Sequence, residues 1–225
     1  MKLKKIASLA LAGIMAVSML AGCGEGTNQE DPSSSGQVPT TTNVVTYAND
    51  ALSASEKEVI SFTSSSALDT LLQKVATNPA NFDSDAIEKV FNSFTLYSTA
   101  GATTAEFAED LSKDVADGLT GQRGIAFSAF NTFPVDKASQ KVVVVGIISG
   151  NVEEKAAVQE FVDAYANSIA IFPKTVYDTS TTPNTLYACK YTGEISAIKV
   201  ASPESSDKTA WVMAAVATQT VTKTV

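Results

Sequence analysis

Lys141–Ser149 reads KVVVVGIIS, and its reading decides the fold. Six of the nine residues are β-branched, which stiffens χ1 and suits a pleated strand better than a helix. The run does not alternate between polar and apolar, so both faces are apolar, the pattern of a central strand buried on both sides.

Downstream, Asn151 with Glu154 three residues on marks a helix start. Val158, Phe161, Val162, Tyr165 and Ile169 follow as one stripe, and Phe172-Pro173 breaks it. Thr185–Tyr191 and Glu194–Val200 read as two strands joined by a turn at Thr192-Gly193. Ser202–Asp207 is a polar loop, and Lys208–Thr220 is a last apolar strand.

Upstream, the strand signal gives way to helical spacing. Ile125–Phe133 alternates in part and stops at Pro134. Thr103 with Glu106 forms a capping box, Phe107, Leu111 and Val115 form the apolar face, and Gly118 closes the helix. Ser84 caps a helix carrying Ile87, Val90, Phe91 and Phe94. Ser66 with Asp69 opens another, with Leu68, Leu71, Leu72 and Val75, ended by Asn78-Pro79. Glu58–Thr63 is ambiguous, while Val44–Tyr47 reads as an edge strand before an Asn49-Asp50 turn. Helices first, then strand, helix and three strands predict an α+β fold. The expectation is one domain, residues 44–225, with a mostly antiparallel sheet and helices packed on one face.

Composition narrows the chemistry. The chain has no histidine, two cysteines, one arginine (Arg123) and a formal net charge of −8. Without histidine there is no Ser-His-Asp or Cys-His activation and no His-bearing zinc site. An acidic chain lacks the Lys/Arg excess that nucleic acid requires, so no nucleic-acid partner is expected. No cofactor signature is present, and catalysis is not expected from these residues.

Met1–Cys23 has another character. Lys2, Lys4 and Lys5 precede the uncharged run Ile6–Leu20, which ends in Leu20-Ala21-Gly22-Cys23. This is the order of a secretory signal. With cysteine after the small residues, it resembles the lipobox of bacterial lipoproteins. The resemblance implies cleavage after Gly22, diacylglycerol on the Cys23 thiol and a domain held to the cell membrane facing outward. Residues 1–22 would then be the signal peptide, and their removal moves the net charge from −8 to −11 through loss of three lysines. The 15-residue apolar run is shorter than the ~20 residues a spanning helix needs, so retention would rest on lipid. Residues 23–43, rich in Gly, Ser, Thr and Pro, read as the acylated cysteine and a flexible tether.

Among chemical candidates, Glu106, Glu109, Asp110, Asp114 and Asp117 fall on or near one helix face, where acids could hold a hard cation or simply face solvent. Asp83-Ser84-Asp85 suits a helix cap. Gly118–Gly124 lacks a phosphate-loop lysine and follows a helix, but Arg123 within it is the residue to grip an anion. Cys189 shares a strand face with Tyr187 and Tyr191 and has only Lys190, on the opposite face, as a local cation. Ser196–Lys199 and Ser205–Lys208 match a Ser-x-x-Lys spacing, one on a strand and one in a loop. The expectation is a non-catalytic binding domain for an unknown protein, wall component or small ligand. The alternatives are a carboxylate-dependent hydrolase of envelope glycans and a small solute-binding lipoprotein.

Overall fold

The structure is a computed structural model of the chain; it describes residues 41–93, 95–98, 106–119, 122–123, 128–131, 134 and 138–224. All fall within one compact unit, Gln37–Val225. In chain order the elements are α1 (Thr41–Ala51), α2 (Ala54–Lys57), β1 (Phe62–Thr63), α3 (Ser66–Ala76), α4 (Ser84–Phe91), β2 (Tyr97–Ser98) and α5 (Glu106–Gly118). There follow β3 (Gln122–Arg123), a 3-10 turn at Ser128–Asn131, β4 (Ser139–Ser149), α6 (Glu154–Ala170), β5 (Thr175–Asp178), β6 (Thr185–Ala201) and β7 (Thr209–Lys223). No helix among the described residues is long and apolar enough to cross a membrane.

Three long antiparallel strands, ordered β6-β7-β4, form the middle of the sheet. Short strands line its edges: β1 and β5 pair with β6, and β2 and β3 with β4. Among the described residues, only the two-residue β1–β6 and β3–β4 pairings are parallel. The fold is therefore α+β with a mostly antiparallel sheet, as the order of signals predicts.

The helices do not stay on one face, and this corrects the expected arrangement. Val142, Val144 and Ile148 of β4 pack with Met213 and Ala215 of β7 beneath α1 and α6. Val143, Val145 and Ile147, one residue out of phase, pack with Val212 and Ala214 beneath α3, α4 and α5. Successive strand residues point to opposite faces. A strand that is apolar on both faces can leave neither to water when each buried methylene contributes roughly 0.8 kcal/mol. A three-layer arrangement satisfies both.

Val44–Tyr47 belongs to α1, not to an edge strand. Val44 and Ala48 are one helical turn apart and both fully buried, in the core shared with α6. Tertiary packing overrides the β-propensity of two valines. The helix also takes Thr41–Asn43 from the expected tether. The predicted turn at Thr192-Gly193 is likewise absent, because β6 runs straight through it and the β6–β7 hairpin turns after Ala201. Gly193 is a close-approach glycine: a Cβ there would lie 2.7 Å from Phe62 Cδ1 of β1.

Helix starts shift by a residue or two. Ser65, not Ser66, accepts from Leu68 N at 3.4 Å. Asp83, not Ser84, accepts from Ala86 N at 2.9 Å. Glu153 precedes α6 without a side-chain cap bond. The capping box that does form, Ser53 with Glu56, opens α2, and Ser53 N donates to Glu56 Oε2 at 2.7 Å. Phe94, Thr103 and most of the Ile125–Phe133 alternation lie outside the described residues; Ser128–Asn131 within it is a 3-10 turn.

Candidate functional site

The acidic runs at 83–85 and 106–117, separate in sequence, meet in space. An open cleft of about 370 Å³ lies between the segment from Pro79 to Lys89 and the first turns of α5. Asp83, Asp85 and Lys89 line it from the α4 segment, and Glu106, Phe107 and Asp110 from α5.

Each position has a local cause. Asp83 and Asp85 sit at the N-terminus of α4, where unpaired backbone N–H groups and the helix dipole favour negative charge. Glu106 and Asp110 are one turn apart and exposed, while Ala108, Leu111 and Val115 on the other side of α5 are buried. Asn81 Nδ2 donates to Asp114 Oδ2 at 2.8 Å, tying the α3–α4 loop to α5. The Phe107 ring lies 5.7 Å from Phe82 and 5.5 Å from Tyr97, centroid to centroid. Lys89 Nζ is 5.9 Å from the centroids of both Tyr97 and Phe107, within cation–π range. Four carboxylates against one ammonium make the cleft attractive to a cationic group, with Phe107 as an aromatic residue of its lining. Among the described residues, no three His, Cys, Asp or Glu side chains are placed to hold a metal ion.

The other sequence candidates are scattered. Cys23 lies outside the described residues. Arg123 is in β3, its backbone paired in parallel with Val143 at the sheet edge; its side chain, and Thr120, Gly121 and Gly124 of its loop, lie outside the description. Gly118 does end α5, at a position where a Cβ would come 2.6 Å from Leu71 Cδ2 of α3.

Cys189 is half-buried in a hydrogen-bonded group centred on Gln219. The Gln219 amide N–H groups are shared among Tyr191 Oη (2.9 Å), Phe130 O (3.1 Å) and Cys189 Sγ (3.5 Å), and Gln219 Oε1 accepts from Gln140 Nε2 at 2.8 Å. Tyr191 Oη donates to Pro173 O at 2.7 Å. Burial pushes the Cys189 thiol and the Tyr191 phenol upward in pKa, which disfavours a reactive thiolate. Neither Ser-x-x-Lys pair assembles. Ser196 bonds Asp69 while Lys199 lies on the opposite face, 5.3 Å from the Trp211 ring centroid. Lys208 pairs with Glu88 at 2.6 Å.

Asp69 was legible only as a helix-start residue. The structure points it from α3 toward Ser196 of β6, where desolvation raises its pKa against the hydrogen bond from Ser196, and its Oδ1 is buried without a partner. Only the packing of α3 onto the sheet could reveal this. Compared with known families, curated proteins and solved structures, the chain matches none.

Proposed function

We propose that this protein is an outward-facing, lipid-anchored lipoprotein whose α+β domain is a non-catalytic binding module, with the cleft between α4 and α5 as its binding site. One observation carries the binding reading: Asp83 and Asp85 line the same cleft as Glu106, Phe107 and Asp110. Such a cleft selects an ammonium or guanidinium group on a small ligand, a peptide or a wall component. The anchor reading rests on the Leu20–Cys23 motif and its lysine-headed apolar leader.

Calorimetric titration of the full chain in detergent with spermidine tests the cleft. Binding that falls at least about tenfold in Asp85→Asn/Asp110→Asn supports it, and equal binding by that variant refutes it. Cys23→Ser should abolish acyl labelling and release the protein or leave its leader uncleaved; unchanged labelling and membrane retention would remove the lipobox reading.

A second reading draws on the same observation, because paired carboxylates across a cleft can act as acid and base on a glycosidic bond without histidine. Release of reducing ends from a glycan, lost in Asp110→Asn while the fold is kept, would replace binding by hydrolysis.

A further inference from the structure

Helices α3, α4 and α5 cover only part of their face of the sheet. The strand residues packed under them alternate: Val143, Val145 and Ile147 of β4, Ile198 and Val200 of β6, and Ala210, Val212, Ala214 and Val216 of β7. By strand alternation the same face continues past Val216 through Thr218, Thr220 and Thr222, and along β6 through Thr192, Lys190 and Ala188. Register sets these side by side: Lys141 and Thr192 flank Thr218, Ser139 and Lys190 flank Thr220. On β5, Thr175 opposes Ala188 and Tyr177 opposes Leu186, extending the surface by one strand. Thr175, Lys190, Thr192, Thr220 and Thr222 are exposed, and Tyr177 is 59% exposed, one of two large apolar side chains so open among the described residues.

This face is four strands wide and carries hydroxyls at a fixed spacing. Threonine at every second residue of β7 places them roughly 6.8 Å apart along the strand, with neighbouring strands roughly 4.8 Å away. Its described charges are Lys141 and Lys190, and the first carboxylate, Glu194, stands at its border opposite Val216. In a chain of 24 acidic and 16 basic side chains, that is a local reversal of sign. At physiological salt the screening length is about 8 Å, so the ammonium groups on this face dominate what touches it.

We propose that this uncovered sheet face docks a linear anionic glycan, a sugar polymer bearing carboxylates along its length. A flat platform accepts an extended chain lying across it. The threonine hydroxyls donate to and accept from sugar hydroxyls, Lys141 and Lys190 meet the carboxylates, and the open Tyr177 ring offers an apolar face to a sugar ring. A globular protein partner fits less well, because protein interfaces are depleted in lysine and draw their energy from buried aromatic and arginine anchors. Nucleic acid fits less well too, since two lysines neutralise few phosphates. The site shares no residue with the acidic cleft and does not rest on it.

Affinity electrophoresis of the full chain in detergent, with polygalacturonate or neutral dextran in the gel, tests the proposal. Retardation by polygalacturonate and not by dextran is expected, weakening as salt rises. Lys141→Glu/Lys190→Glu should weaken it about tenfold, and Thr220→Lys, which adds a charge on an exposed position, should strengthen it. The cleft variant Asp85→Asn/Asp110→Asn should bind polygalacturonate as the unaltered chain does. No retardation, equal retardation by dextran, or indifference to both lysine reversal and Thr220→Lys would overturn it. Self-association that the lysine reversal abolishes, without glycan binding, would also overturn it in favour of a second copy.

Discussion

The side-chain amide of Asn49 stands beside Phe62 as a neighbouring strand would. Asn49 Oδ1 accepts from Phe62 N at 2.8 Å and Asn49 Nδ2 donates to Phe62 O at 2.9 Å, with a further bond to Val45 O at 3.0 Å. The other edge of β1 is paired to β6 at Gly193 and Glu194. One side chain of α1 thus closes the open edge of β1, which would otherwise present unpaired backbone groups. Asn49→Ala should cost about 1–3 kcal/mol, because a backbone N–H and C=O lose their partners together. A urea midpoint that does not move would show that water replaces the amide without loss.

Gly193 tests the straight course of β6. Its Cβ position lies 2.7 Å from Phe62 Cδ1 and 3.1 Å from the Ser61 carbonyl oxygen. Gly193→Ala should destabilise by about 1–3 kcal/mol through overpacking. Phe62→Ala in the same chain should recover part of that loss, giving a coupling measurable in a double-mutant cycle. Additive losses would mean that the two residues do not press on each other.

Asp69 and Glu154 make stability fall as pH rises through the acidic range. Desolvation raises both pKa values in the folded chain, Asp69 from its ordinary 3.8 and Glu154 from 4.5. Between the ordinary and the raised values the folded state holds more protons than the unfolded one, so stability decreases with pH across that window. Asp69→Asn should flatten this slope when thermal midpoints are compared from pH 4 to 7. A slope unchanged in Asp69→Asn/Glu154→Gln would assign it to other carboxylates.

Cys189 should react slowly with a disulfide reagent at pH 8, because burial raises its thiol pKa. Gln219→Ala removes the amide that bonds Cys189 Sγ, Tyr191 Oη and Phe130 O. It should cost about 1–3 kcal/mol of stability and speed labelling in the native chain. Native labelling as fast as in urea would contradict the half-buried thiol.

Elements long enough to repeat a pattern were legible in the sequence. The β4 run and the α6 stripe of Val158, Phe161, Val162, Tyr165 and Ile169 are buried as read. The 11-residue α1 was not legible, because two valines and a tyrosine carry the same local signal there as in an edge strand. Capping residues shifted by a residue where serine or aspartate stood side by side, as at Ser65-Ser66 and Asp83-Ser84. The acids of the cleft were each visible, but nothing in their spacing says that residues 83–85 and 106–110 share a surface.

By itself the sequence determined the α+β class, the double-sided burial of β4 and the absence of histidine chemistry. These depend on residue type and on the short-range period of the chain. Tertiary structure alone decided that helices cover both faces, that Gly193 admits the paired strand β1 instead of a turn, and which described residues of one sheet face are exposed. Those outcomes depend on contacts between residues far apart in sequence, such as Phe62 with Gly193 and α4 with α5, and local propensities of about 1 kcal/mol are too small to dictate them.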